Sequence, residues 1–272
     1  MTMNNRVRVG SDRGPFGTVT EIELVNPGGG NTIDFDFTDD LWAATNSIGA
    51  DTTCVTLTAE GKNFCLGGDL TGFASAVDPG GYVAELADRL HRSLRVLRAL
   101  ELPIIVGVQG WAAGAGMSLA MIGDICVAET STKFRTAYGA VGLTPDGGMS
   151  WTLPRAVGRT VALDLFLTQR SMDVEEAHRL GVVSRVVDGG HVREAVRELA
   201  AAISGGPSAA IRATKALVDE GASAAFSDHL GAEAAFIGRA AGCAEGREGV
   251  SAFLNRKQPN FASIEYLVAE GN

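Results

Sequence analysis

TTCVTLTAE, of high β-branched content, and three short runs rich in valine and isoleucine, PIIVGVQG, DICVAE and VVSRVV, punctuate the chain between residues 52 and 187. The last three are β-branched and apolar, as a strand buried within a core must be. Helical sequence lies between them. In YVAELADRLHRSLRVLRALE the apolar set Val83, Leu86, Leu90, Leu94 and Leu97 advances by three or four residues and so marks one helical face. DVEEAHRL reads as a short helix capped at Asp173, and VREAVRELAAAI, AAIRATKALVDE and most of the tail from His229 onward are helical as well. Ahead of them all, RVRVGSD, GPFG and TVTEIELV read as strand, turn and strand. Strands dominate the first part of the chain and helices the last, with β-β-α alternation between. The expected class is α/β, one core with a helical C-terminal extension.

The 272 residues suffice for one large domain with a small appendage, divided here into 1–200 and 201–272. A net charge of −9 with no lysine or arginine run excludes a general nucleic-acid binder, although a few local cations can still hold a polyanionic ligand. MTMNNRVRVG has no apolar core like that of a signal peptide, and no later stretch is apolar enough to span a bilayer, so a cytoplasmic location without membrane attachment is expected. Cys54, Cys65, Cys126 and Cys243 show no CxxC spacing, and His91, His178, His191 and His229 are scattered. Neither a disulfide framework nor a metal site is signalled, and the cysteines read as small buried apolar residues.

Two glycine-rich turns share a plan. GKNFCLGGDL and QGWAAGAGMSLAMIGD each follow an apolar strand, turn through small residues and open into helix-compatible sequence. Glycine lets bare backbone approach a ligand, and amides at a helix start lack partners. Converging, two such turns can aim two N–H groups at one oxygen, which is an oxyanion hole. They can also do no more than let a helix pack on a strand. Neither turn ends in the Lys-Ser/Thr of a phosphate loop. Gly114-Ala115-Gly116 begins like a dinucleotide fingerprint but lacks the third glycine. Gly116-Met117-Ser118-Leu119-Ala120 is one residue short of a GxSxG elbow, and no downstream histidine completes it.

Between Arg135 and Arg155 stands a single charged side chain, Asp146, in the apolar stretch AYGAVGLTPDGGMSWTLPR. Asp before Gly-Gly suits a helix cap. A carboxylate facing a desolvated pocket would instead have a raised pKa and carry protons. Local sequence leaves both readings open.

FCLGGDL, IIVGVQGWAAGAGMSLAMIGDICVAE, VGLTPDGGMSWTLPRAVGR and EGREGVSAFLNRKQPNF, in that order, resemble the signature blocks of the crotonase (enoyl-CoA hydratase/isomerase) superfamily, from about Val19 to Phe261. The resemblance implies a spiral of β-β-α units, a homotrimer or dimer of trimers, and acyl-CoA thioester substrates. It implies no cofactor, with coenzyme A entering as part of the substrate. Two backbone amides polarise the thioester carbonyl in this family, and they match Gly68 and Ala115. Leu66, Asp69 and Leu70 would flank the thioester path. Trp111, Gly114, Ala137, Tyr138 and Leu143 would line the acyl pocket. Phe253 and Arg256, with Lys257 as a second cation, fall where the family places an aromatic wall and a charge for CoA phosphate. The tail would then be a trimerisation and CoA-covering region.

The chain departs from the hydratase pattern at two places. Hydratases of this family carry glutamates at the positions of Ser118 and Tyr138, and hydroxyls cannot replace a pair of carboxylates at neutral pH. Asp146 is then the candidate proton carrier, and "GLTPDGG", "LPR" and "REGVSAFL" are most similar to the 1,2-epoxyphenylacetyl-CoA isomerase subgroup. An aspartate here also resembles the 4-chlorobenzoyl-CoA dehalogenases, which keep a histidine near the position of His91. An aromatic expected beside it is Leu90 here, and Tyr138 replaces a tryptophan. NPGGGNTID, glycine-rich where many members place a polar side chain, implies a looser or backbone-made grip on CoA. The expected activity is that of an acyl-CoA isomerase, with a dehalogenase, a hydratase or a non-catalytic acyl-CoA-binding scaffold as alternatives.

Overall fold

The computed structural model describes residues 5–14, 17–261 and 264; Pro15 and Phe16 of the expected first turn lie outside them. The strands are β1 (Val7–Gly14), β2 (Gly17–Leu24), β3 (Thr52–Ala59), β4 (Ile104–Val108), β5 (Trp111–Ala113), β6 (Ile125–Glu129), β7 (Lys133–Arg135), β8 (Ser171–Asp173) and β9 (Arg185–Val187). The helices are α1 (Phe35–Asn46), α2 (Leu70–Ser75), α3 (Pro79–Ala99), α4 (Ala115–Ala120), α5 (Met149–Val157), α6 (Arg159–Thr168), α7 (Val174–Arg179), α8 (Val192–Ser204), α9 (Ser208–Gly221), α10 (Phe226–Gly242) and α11 (Ala244–Leu254).

Two sheets share these strands. The larger runs β1-β2-β3-β4-β6-β9, antiparallel only in the β1–β2 pair, and the smaller runs β5-β7-β8. The chain alternates between them. β4 lies in the large sheet, β5 in the small one, and α4 follows; then β6, β7 and the helices α5 and α6 repeat the plan. A parallel bridge between Cys65 and Ala112 adds a matching rung from the segment after β3. This is the expected spiral of β-β-α units.

Burial explains the composition of the strands. Every residue of β4 is buried, and β3 exposes neither face fully, so an alternating polar pattern would leave unpaired groups inside. One face of the large sheet packs on α8, where Val192 and Val196 meet Val19, Cys54, Ile105 and Val127. A Cβ at Gly107 would lie 2.8 Å from Val196 Cγ2, so the glycine lets α8 sit close. The other face packs on the principal core, to which α3 contributes Leu90, Leu94 and Leu97.

The sequence reading missed α1. Asp34 caps it by accepting the Phe37 N–H at 2.8 Å, and Phe37, Leu41 and Ala44 are buried beneath it. Its polar start follows so many glycines that the helical period is hard to see. β5, β7 and β8 were missed as well, each too short for a period of two to register. The capped α7 has the form expected, with Asp173 accepting the Glu176 N–H at 2.8 Å.

A division at residue 200 falls inside α8, whose last turn still bonds the core through Ser204 and Thr53 at 3.0 Å. Helix α9 is tied back by Lys215 to Asp124 at 2.7 Å and by Arg98 to Asp219 at 2.6 Å. α10 packs on α9 and α11 on α10, leaving Phe226, Leu230, Ile237, Phe253 and Leu254 exposed.

Candidate active site

The two glycine-rich turns meet. Cys65 donates to Trp111 O at 3.2 Å, and Ala113 returns a bond to Cys65 O at 3.0 Å. Gly67 sits at φ +92°, where a Cβ would lie 2.9 Å from Ala113 O and 3.5 Å from Ala115 N. A Cβ at Gly116 would lie 2.2 Å from Cys65 O. Only glycine allows backbone to approach backbone so closely at these two positions. The neighbouring bridge uses Gly67 O, which accepts from Ile33, and Asp69 N, which donates to Ile33 O. The Gly68 amide between them has no described backbone acceptor, nor has the Ala115 amide at the start of α4. Two unpartnered donors thus stand on adjoining strands of backbone.

Asp69 holds the turn after Gly68. Its carboxylate accepts from the amides of Thr71 at 3.0 Å and Gly72 at 3.2 Å, capping α2. Leu66 and Leu70 are exposed on either side of Gly68. Gly114, at φ +53°, donates to Arg135 O at 3.0 Å and so ties the second turn to β7.

Beyond β7 the chain bends sharply. Ala137 has φ +60°, and the Tyr138 amide donates to Thr136 O at 2.8 Å, closing a γ-turn of the rare positive-φ hand. Such strain in a non-glycine residue is held by its surroundings, here by Thr136 Oγ1 donating to Leu165 O at 3.0 Å. The bend drives Tyr138 into the core, where it is buried. Its hydroxyl donates to Asp146 Oδ1 at 2.8 Å. Ser118 Oγ lies 3.0 Å from the Tyr138 hydroxyl and 3.0 Å from Asp146 O, and its one hydrogen serves one of them at a time. Burial, followed by the Asp146 charge, pushes the Tyr138 hydroxyl well above the ordinary tyrosine range, so it remains a donor at neutral pH.

Asp146 does not cap a helix with its side chain. α5 starts after Gly148, and it is the backbone carbonyl of Asp146 that takes the Met149 amide at 3.0 Å. The carboxylate is half-buried, one oxygen held by Tyr138. Residues 142–148 are not helical, so the eight-residue spacing from Tyr138 is bridged by a loop that doubles back, not by helical turns.

His91 takes a role the sequence did not suggest. From α3 its Nε2 accepts the Gly147 amide at 2.9 Å, one residue from Asp146. Behind that bond lies a largely apolar groove of about 560 Å³, lined among others by Leu94, Ile122, Trp151 and Arg98.

The remaining candidates lie around this centre or away from it. Trp111 is half-buried with Lys133 Nζ 5.7 Å from its ring. Leu143 is exposed and its amide donates to Tyr138 O at 3.0 Å. Phe253 is 82% exposed near the end of α11, with Arg256 at φ +53° and Lys257 just beyond. Among the described residues no group of three or more His, Cys, Asp or Glu is placed to hold a metal ion, and no helix is long and apolar enough to cross a membrane.

The β-β-α spiral with its two paired turns is shared with proteins of one family. The sequence profile of enoyl-CoA hydratase/isomerase matches residues 16–264. The 1,2-epoxyphenylacetyl-CoA isomerase of Escherichia coli (strain K12) is 36% identical over 212 residues, covering 76% of this chain and 80% of that protein. A "Probable enoyl-CoA hydratase" of Rhodobacter capsulatus is 34% identical over 240 residues, covering 88% and 93%. The crystal structure of an enoyl-CoA hydratase from Polaromonas sp. JS666 superposes with a TM-score of 0.87 at 30% identity, covering 93% of this chain and 98% of that one. The chain belongs to the enoyl-CoA hydratase/isomerase family. Relatives named for both reactions fall at similar identity, so similarity alone does not choose between them.

Proposed function

We propose that this protein is an acyl-CoA isomerase using a single carboxylate. The observation that carries the reading is the Tyr138–Asp146 hydrogen bond of 2.8 Å, with Ser118 joined to the same pair. The two positions where a hydratase needs glutamates here hold hydroxyls, and both turn toward Asp146.

The thioester oxygen sits between the amides of Gly68 and Ala115. As a proton leaves the adjacent carbon, negative charge moves onto that oxygen, where two preorganised donors stabilise the enolate. Asp146 takes the proton on Oδ2, since Oδ1 already accepts from Tyr138, and returns it to another carbon. The double bond moves, and the carboxylate ends as it began. Hydration requires a water held between two carboxylates, and only one acid is present in this cluster.

The exposed apolar residues of α10 and α11 support assembly into a homotrimer or dimer of trimers, in which Phe253 and Arg256 would cover coenzyme A. Acidic charge and the absence of a basic run support a small thioester ligand over nucleic acid or membrane.

Turnover of 2-enoyl-, 3-enoyl-, ring-epoxide and 4-chlorobenzoyl-CoA by wild type and Asp146→Asn tests the reading. Isomerisation lost in the variant is the expected result. Hydration that survives the substitution overturns it, as does chloride release, which would favour a dehalogenase. Thioester binding without turnover in either protein would mean a scaffold.

A further inference from the structure

We infer that His91 is a positioning residue that sets the Asp146 carboxylate by accepting the Gly147 amide, an inference that rests on the one-carboxylate reading above. The turn carrying Asp146 is packed on one side only: Gly147 is buried, and a Cβ there would lie 2.6 Å from Ser118 Cβ. Gly147 and Gly148 follow each other at φ +59° and +79°, and a Cβ at Gly148 would meet nothing within 4 Å. Consecutive glycines in the left-handed region have many conformations to lose on ordering. On its other side the turn borders the groove, which Gly147 and Gly148 line together with His91, Leu94 and Trp151.

Hydrogen bonds complete the hold on the turn. Ser118 Oγ and the Met149 amide both reach Asp146 O, at 3.0 Å each, and grip the turn from the α4 and α5 sides. His91 Nε2, at 2.9 Å from the Gly147 amide, supplies the grip from α3. α3 is a firm base, since Leu90 and Leu94 on either side of His91 are buried. The acceptor must be an unprotonated nitrogen, which places the ring hydrogen on Nδ1. With its Nε2 lone pair directed at Gly147, His91 acts on Asp146 through backbone and does not itself receive a proton from substrate or water.

The test compares His91→Gln with His91→Asn, using 3-hexenoyl-CoA as substrate. A glutamine amide oxygen reaches about as far as Nε2 and can accept the Gly147 N–H, whereas asparagine falls one methylene short. Loss of the grip moves Asp146 by a fraction of the near-attack distance, which lowers kcat roughly 10- to 100-fold with KM little changed. Glutamine is expected to restore kcat to within about threefold of wild type by keeping the hydrogen bond. Wild-type kcat in His91→Asn overturns the inference. So does equal impairment of both variants, because then the imidazole's own proton chemistry is required. Should His91→Asn fail to fold, hydrogen exchange at the Gly147 amide decides: protection in wild type and in His91→Gln supports the inference, and rapid exchange in wild type overturns it. Activity surviving in Asp146→Asn would sink the one-carboxylate reading, while a dead Asp146→Asn beside a fully active His91→Asn would sink only the role of His91.

Discussion

Tyr138 donates its hydroxyl to Asp146 Oδ1 across 2.8 Å, from a side chain buried behind the strained turn at Ala137. The bond leaves one carboxylate oxygen for chemistry and fixes its direction. Removing it in Tyr138→Phe lets the carboxylate rotate, with an expected loss of about 10- to 100-fold in kcat. Loss of a hydrogen bond to a charged group costs about 1–3 kcal/mol, which urea unfolding reads directly. Unchanged kcat would show that Asp146 is oriented by something else.

Gly67→Ala acts on the oxyanion turn without touching any catalytic side chain. Its φ of +92° and a Cβ 2.9 Å from Ala113 O force the two turns apart. Displacing one amide donor should cost about 3–4 kcal/mol of transition-state stabilisation, visible as a fall in kcat. Gly181→Ala is the control, since it meets open space and pays only for its φ of +81°. Equal losses in the two would argue against a special role for the Gly67 junction.

Asp69→Ala removes two hydrogen bonds from the start of α2 and loosens Gly68 beside it. The cap is worth about 1 kcal/mol, a drop of about 2–4 °C in Tm for a chain of this size. Asp69→Asn retains a capping oxygen and should recover most of the stability and activity. An Asn variant as impaired as Ala would mean that the carboxylate meets the substrate.

Stability should fall on the alkaline side. Burial pushes the thiols of Cys54, Cys65 and Cys126 up to about 12, and raises Tyr138 beyond the ordinary tyrosine range. The folded chain thus keeps protons that the unfolded chain releases, beginning near the free-thiol value of about 8.5. The stabilisation is complete below that pH and is lost progressively as pH climbs toward 12. Urea midpoints measured from pH 7 to 11 should be level at first and then decline. A midpoint that stays level to pH 11 would contradict the burial of these groups.

Much of this molecule can be read in one dimension. Periodicity sufficed for α3, because Leu86, Leu90, Leu94 and Leu97 repeat at the pitch of a helix lying on a core. Composition sufficed for β4 and β6, because a strand covered on both faces has little room for polar alternation, and β-branched content sufficed for β3. Such signals are local, and so they survive without the fold. The order of the glycine-rich blocks named the family for the same reason, as each block is a contiguous stretch of chain.

The site is decided elsewhere. Ser118, Tyr138 and Asp146 come from three separate segments, and no local pattern says that two hydroxyls would turn inward to hold one acid. Local sequence leaves Asp146 open between helix cap and proton carrier, and it is the family resemblance with its missing glutamates that makes it the candidate proton carrier. Tertiary structure resolved the cap question, because Gly148 begins α5 and only the backbone of Asp146 serves that helix. His91 and Gly147 stand 56 residues apart, and their bond depends on how closely α3 packs against the turn before α5. Residue type determined which elements form. Where their side chains meet depended on the spiral that stacks them.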